Sequence, residues 1–288
     1  MDKIAIVASL RRRGAANVVR EVAGWLEERG LEVRLQPPVA ERLRRPELGR
    51  SEEELMEGAS LALALGGDGT MLATARLAAP GGVPILGCNL GGFGFLTEVA
   101  ESELMAALPR VLEGQCEVRD RMMVEGEVMR AGRPACRFLG LNDVVVTKGA
   151  LSRVLRLEIE VAGEQLGVFS ADGVGVATPA GSTAYSLSAG GPVVSPEVEA
   201  LLVTPICAHT LSARPMVVPL HAEVSVSANP LQPGQDVTVT TDGQQGFALA
   251  AGDIVRVRKA PVAAHMVHVA GPSFFVKVRT KLGWAGRS

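Results

Sequence analysis

Hydrophobic and polar positions along the first third of the chain change period repeatedly, and each change predicts a new element. Ile4-Ala5-Ile6-Val7-Ala8 is a short apolar run of strand length. Residues 17–28 place Val18, Val19, Val22, Trp25 and Leu26 on one face of a helix that Gly30 stops. Residues 31–35 alternate as a strand should. Pro37, Pro38 and Pro46 then interrupt the pattern, which predicts an irregular, exposed connection to about Arg50. Residues 61–65 and 83–87 are further short strands, and residues 102–112 form a helix with Ser102 as its cap and Gly114 as its stop. Strands alternating with helices predict a mostly parallel sheet covered by helices.

Beyond about Gly114 the pattern settles to period two. Residues 154–161 alternate apolar and charged side chains, and residues 222–228, 236–241, 254–259 and 275–280 repeat the theme. Strands with one wet and one buried face imply antiparallel sheets. The expected fold is therefore an α/β N-terminal domain, Rossmann-like with a mostly parallel sheet, plus a β-rich C-terminal domain of antiparallel, sandwich-like sheets. The expected boundaries are residues 1–115, joined by the C-terminal segment 270–288, and residues 116–269.

Composition narrows the partners. With 288 residues and 47% hydrophobic content the chain can bury a sizeable core. A net charge of −2 gives no electrostatic footprint for nucleic acid, so Arg11-Arg12-Arg13 and the cluster of Arg42, Arg44 and Arg45 are solvated faces. Cys88, Cys116, Cys136 and Cys207 are widely spaced with no Cys-x-x-Cys pair, which argues against a disulfide framework or a structural zinc site and fits a reducing cytoplasm. No stretch of about 18 apolar residues occurs, so a soluble, unexported protein with no membrane partner is expected.

The most informative segment is Gly66-Gly67-Asp68-Gly69-Thr70, directly behind the apolar run 61–65. Residues 70–79 after it suggest a helix with Thr70 near its N-cap and Pro80 past its end. A strand, a glycine turn and a helix N-terminus together offer unpaired backbone N–H groups to an anion. A bare carboxylate there repels a phosphate. Asp68 therefore has a separate role, which is to cap the helix, to accept a proton from an attacking hydroxyl, or to hold a metal that bridges phosphates.

Three other segments bear on that choice. Gly87-Cys88-Asn89-Leu90-Gly91-Gly92-Phe93-Gly94-Phe95-Leu96-Thr97-Glu98 comes after a strand, and two glycine-rich strand ends in one parallel sheet border one crevice; as a structural bend, Phe93 and Phe95 would instead anchor a core edge. Neither loop carries the P-loop lysine pattern or a Gly-x-Gly-x-x-Gly. Residues 172–192 combine small hydroxyl residues, glycines and the only tyrosine, Tyr185, which suits a nucleoside, though an ordinary turn with an exposed tyrosine reads the same way. Ala180 stands where a hydrolase elbow before Ser182 needs glycine, so an esterase is discounted. Asn142-Asp143 at a strand entrance is either a turn dipeptide or a pair for a base edge and a ribose hydroxyl. His265 and His268 point to opposite faces of a strand-like run and make no metal pair, and His209 has no derived role.

Together these segments resemble the NAD kinase family, from Ile4 through Thr280-Lys281-Leu282-Gly283-Trp284. The most specific pieces are residues 66–70, 89–98, 178–192 and Pro205-Ile206-Cys207-Ala208-His209-Thr210-Leu211-Ser212-Ala213-Arg214-Pro215. The first alone also marks diacylglycerol- and sphingosine-type lipid kinases and, in a related form, phosphofructokinases, so the third and last decide. The resemblance implies transfer of the terminal phosphate of ATP, or in some members polyphosphate, to the adenosine ribose 2′-hydroxyl of NAD. On it, Asp68 matches the proton acceptor, Gly69 lies against phosphates, and Asn142 and Asp143 contact the nucleoside parts of NAD. Asp172, Thr183, Ala184, Tyr185, Ser186, Leu187 and Ser188 match the NAD-binding loop, while Arg153, Ser170 and Gln244 fall at more variable contact positions.

Two departures stand out. The family pair is usually Asn-Glu rather than Asn142-Asp143, and many relatives carry a basic residue at Ser170. The resemblance further implies a homodimer or homotetramer with sites completed by a neighbouring subunit. With no lysine in either glycine loop, a divalent cation, Mg²⁺ carried largely by the substrate phosphates, is the expected neutraliser, and no protein metal ligand is assigned. A lipid kinase using the same loop, or a non-catalytic dinucleotide-binding regulator, remains the alternative.

Overall fold

The computed structural model describes residues 2–91, 94–150, 152–210, 212–228, 235–269 and 271–284. Gly92 and Phe93 of the second glycine loop, and Leu211 of the 205–215 stretch, lie outside them. The chain forms two compact units, residues 1–121 with 262–288, and residues 122–261. These divisions stand a few residues from 115/116 and 269/270 because both fall inside long strands, Glu117–Arg130 and Ile254–His268, where the period does not change.

The first unit begins with β1 (Lys3–Ala8), α1 (Ala15–Glu27), β2 (Glu32–Leu35), α2 (Pro37–Leu43), α3 (Glu52–Met56), β3 (Leu61–Gly66), α4 (Asp68–Ala78), β4 (Ile85–Asn89), β5 (Val99–Ala100) and α5 (Leu104–Leu112). Its strands run parallel in the order β4-β3-β1-β2, with β5 added parallel to β4. Every residue of β3 is buried, as expected of a strand covered on both faces. Ala15, Val19, Val22, Ala23 and Leu26 are the buried stripe of α1. In the β3–β4 register Gly66 pairs with Asn89, so both glycine loops leave the same edge of the sheet.

Two expectations fail here. Residues 37–43 are helical because Pro37 and Pro38 occupy the first turn, where the missing N–H groups have no intrahelical partner and the fixed φ suits a helix; Val39, Ala40 and Leu43 are buried. Ser102 does not cap α5. It lies in a 3₁₀ turn, Glu101–Glu103, where the Glu103 carboxylate accepts the Ala100 N–H at 3.2 Å. Arg34, on alternating β2, is buried because its guanidinium donates to the Glu54 and Glu57 carbonyls at 2.6 and 2.7 Å, satisfying the end of α3.

The second unit is built from β6 (Glu117–Arg130), β7 (Arg133–Gly140), β8 (Asp143–Lys148), β9 (Leu155–Val161), β10 (Glu164–Ala171), β11 (Gly173–Ala177), the short α6 (Tyr185–Ser188), β12 (Ala200–Ile206), β13 (Met216–Pro219), β14 (Val224–Ala228), β15 (Val237–Thr241), β16 (Gln245–Leu249) and the first part of β17 (Ile254–His268). One antiparallel sheet has the order β13-β12-β11-β8-β15-β16. In the other, β10, β9, β14 and β17 pair antiparallel in that order, and β6 and β7 form a hairpin. Val144, Val174, Leu201 and Val239 of the first sheet and Leu157, Ile159, Val224 and Val255 of the second share one core. That is a sandwich.

The chain ends, among the described residues, with α7 (Phe274–Lys281) in the first unit, where alternation predicted a strand. Ser273 decides the outcome: its hydroxyl accepts the Val276 N–H at 3.4 Å and starts a helix. The polar positions of Val276-Lys277-Val278-Arg279 misled because Lys277 is buried.

Candidate active site

Asp68 is the first residue of α4, and the N-cap is Gly67 rather than Thr70. Gly66 admits the turn: a Cβ there would lie 2.1 Å from Thr70 Oγ1. A Cβ on Gly67 would meet nothing within 4 Å, so the approach to the helix N-terminus is open. Gly69, next in the helix, is exposed. The half-buried Asp68 carboxylate accepts the Phe95 N–H at 2.9 Å on one oxygen and the Leu96 N–H at 3.0 Å on the other. Asp68 is therefore oriented by the second glycine loop. Gly94 is required for that approach, since its Cβ would fall 2.3 Å from Asp68 Oδ1 and 2.5 Å from Thr97 Oγ1.

The first unit also brings cations that neither loop encodes. Lys281 of α7 sets its ammonium 4.1 Å from the centroid of the Phe95 ring. Burial lowers its pKa below the ordinary lysine value; the Asp68 carboxylate opposes the shift and Lys277 adds to it. Lys277 enters the second loop itself, reaching Phe95 O, Thr97 O and Glu98 Oε1.

In the second unit, Asn142 and Asp143 are buried at the entrance of β8. Their backbone is gripped from two sides. The Asp242 carboxylate accepts the N–H groups of Leu141, Asn142 and Asp143 at 3.1, 2.8 and 3.3 Å. Thr178 donates its N–H to Asn142 O at 2.8 Å and its hydroxyl to Leu141 O at 2.7 Å. Gly181 packs so tightly on this strand entrance that a Cβ would lie 2.1 Å from Asn142 O. The Asn142 side-chain oxygen is buried without a hydrogen-bond partner, an unmet acceptor of the kind a ligand donor satisfies. Burial, and then the Asp242 carboxylate, push the Asp143 carboxyl up to about 7.

Asp242 escaped the sequence reading. It sits with Gly243 at the tip of the β15–β16 hairpin, both at positive φ, 53° and 63°, and Gln244 returns its N–H to Thr241 O at 2.9 Å. Asp-Gly between alternating runs signals such a type I′ turn, but not the target of its carboxylate.

The remaining expected residues are less gathered. The 178–188 stretch forms a 3₁₀ turn, Ala180–Thr183, and α6. There the Thr183 hydroxyl bonds Ala180 O at 3.3 Å, Ala184 and Leu187 are half-buried, and Tyr185 and Ser188 are exposed. The Ser186 hydroxyl turns inward onto Thr204 Oγ1 at 2.9 Å. Asp172 lies 3.5 Å from Lys148 Nζ. Ser170, on β10, accepts the His209 N–H through its carbonyl at 2.8 Å. Arg153 is exposed ahead of β9; Ser170 and the strand after Arg153 belong to the sheet opposite Asn142 and Asp143. His265 and His268 pair with Asp120 and Glu98, at 2.6 and 2.8 Å.

An open helix N-terminus beside an oriented carboxylate, and a buried amide–carboxyl pair behind a hydroxyl-rich loop, are the equipment of a phosphotransferase acting on a nucleotide. The ATP-NAD kinase N-terminal domain family matches residues 4–116 and the C-terminal domain family matches residues 141–269. The chain belongs to the NAD kinase family, which sets aside the lipid-kinase and regulator alternatives. It is 46% identical to the NAD kinase of Moorella thermoacetica over 99% of this chain and 91% of that protein. It is 44% identical to the NAD kinase of Syntrophotalea carbinolica over all of both chains. Among solved structures it is similar to yeast NADH kinase complexed with NADH, with TM-score 0.91, 27% identity, and coverage of 100% of this chain and 89% of that one. It is also similar to an Archaeoglobus fulgidus NAD kinase in complex with ATP, with TM-score 0.75, 26% identity, and coverage of 99% and 100%.

Proposed function

We propose that the chain transfers the terminal phosphate of ATP, or of polyphosphate, to the adenosine ribose 2′-hydroxyl of NAD, with Asp68 as general base. The observation that carries the assignment is the pair of N–H groups, from Phe95 and Leu96, holding the Asp68 carboxylate at the open start of α4. A carboxylate has about four lone-pair sites. Two are occupied, leaving others for the hydroxyl proton. The N-terminus of α4 points the positive end of its helix dipole at the donor phosphates.

In this reading Asn142 and Asp143 take the nucleoside of NAD. The unpartnered Asn142 oxygen accepts from a base amino group or a ribose hydroxyl, and Asp143, raised to about 7 and so protonated in part of the molecules at neutral pH, donates as well as accepts. Tyr185 offers a half-exposed ring for stacking. Asp172, Thr183, Ala184, Ser186, Leu187, Ser188, Gln244, Arg153 and Ser170 complete the proposed NAD contacts, Ser186 by shaping the loop rather than through its hydroxyl.

Charge neutralisation falls to Mg²⁺, because phosphoryl transfer spreads charge over the transferred oxygens. In this reading the ion arrives with the phosphate donor as substrate, held largely by the phosphate oxygens. Four free cysteines fit a reducing cytoplasm, and a homodimer or homotetramer goes with the same reading.

The test is to incubate the full chain with NAD and Mg²⁺ against ATP, other nucleoside triphosphates and polyphosphate, with a parallel arm on NADH. NADP should form with ATP or polyphosphate; none from any donor overturns the reading. Gly94→Ala should lower turnover by about tenfold or more at unchanged melting temperature, because its methyl displaces the Asp68 carboxylate. Wild-type turnover in that variant would show that the carboxylate's position does not matter.

A further inference from the structure

The second glycine loop is held from behind by a buried ion cluster supplied by the end of the chain. Lys277 is 4% exposed, too buried for an unpaired ammonium. Its three donors have three acceptors: Phe95 O at 3.3 Å, Thr97 O at 3.0 Å and Glu98 Oε1 at 3.1 Å. The other Glu98 oxygen takes His268 Nδ1 at 2.8 Å, which fixes that carboxylate from β17. One turn further along α7, Lys281 covers the ring of Phe95, so the helix grips this residue twice.

We propose that Lys277 is a positioning residue for Asp68: it pins the carbonyl side of segment 95–98, so that the Phe95 and Leu96 N–H groups hold the Asp68 carboxylate in one orientation. This role rests on Asp68 being the base. Peptide planarity makes the coupling direct. The peptide that gives Phe95 O to the ammonium gives Leu96 N–H to Asp68, and planarity allows the two no independent rotation. Gly94, immediately before that peptide, contributes no side chain to fix it, so the lysine adds a constraint on its carbonyl side.

Lys277→Met keeps the length of the side chain and removes the charge and donors. In the full chain, kcat for NADP formation should fall by about 10–100-fold while the KM for NAD changes less than about twofold. The double-mutant cycle separates positioning from general damage. In an Asp68→Asn background the same substitution should cost less than about twofold, because there is no base left to orient. An equal cost in both backgrounds overturns the proposal.

Amide hydrogen exchange gives a readout independent of activity. The Phe95 and Leu96 amides should exchange at least about tenfold faster in Lys277→Met, with the β3 amides unchanged. Unaltered exchange at both refutes the clamp. If the unmodified protein makes no NADP, the functional reading fails and exchange still decides the clamp. If Lys277→Met does not fold, Glu98→Ala removes one of the ammonium's three partners and should move kcat the same way by about threefold or more; an unchanged kcat there overturns the proposal.

Discussion

Asp68→Asn is expected to slow NADP formation by about 10²–10⁴-fold at saturating substrates, with the KM for NAD little changed. The amide matches the carboxylate in shape but cannot take the ribose proton. It also turns one acceptor into a donor, so one of the Phe95 and Leu96 N–H groups, at 2.9 and 3.0 Å, then faces an NH₂. The loss thus combines a missing base with a disturbed loop. Asp68→Ala separates the two: it has no base and no opposed donors. If base removal dominates, the two variants are equally slow; if loop disturbance dominates, Asn is the slower. Turnover measured on folded variants of matched melting temperature is the check, and a rate unchanged from the unmodified protein would sink the general-base assignment.

The chemistry nearest Asp68 was legible in the sequence because it is local. An apolar strand, a glycine turn and a helix start succeed one another within residues 61–78, and each carries its own signal. The parallel sheet in the first unit and the antiparallel sandwich in the second were legible from the change of period near residue 114 for the same reason. What the sequence hid lies at long range. Asp242 reaches Asn142 across 100 residues, and Lys277 reaches Thr97 across 180. No periodicity encodes which strand entrance a hairpin tip will face. Local ambiguity accounts for the other misses: two prolines that break a helix at its centre begin one at residues 37 and 38, and Val-Lys-Val-Arg reads as a strand until Ser273 caps it as a helix.

Asp143→Asn is expected to stabilise the protein in alkaline solution and to leave its stability nearly unchanged below about pH 4. Burial and the neighbouring Asp242 carboxylate raise the folded-state value to about 7, whereas an unfolded aspartate titrates near ~3.9. Below the unfolded value both states hold the proton. Between the two values the folded state keeps a proton that the unfolded chain has released, so stability falls as pH rises. Above about 7 both states are ionised and the penalty stays constant. A gap of about three pH units at roughly 1.4 kcal/mol per unit corresponds to a penalty of order 4 kcal/mol at alkaline pH. Asparagine carries no such titration, and its NH₂ donates as the protonated carboxyl does. Melting temperatures of the two proteins should therefore converge below about pH 4 and separate as pH rises to about 7, with the variant above and the gap constant beyond. An offset that is the same at pH 4 and pH 9 would mean that Asp143 does not carry the buried proton, and its role as a hydrogen-bond donor to the nucleoside would fall with it.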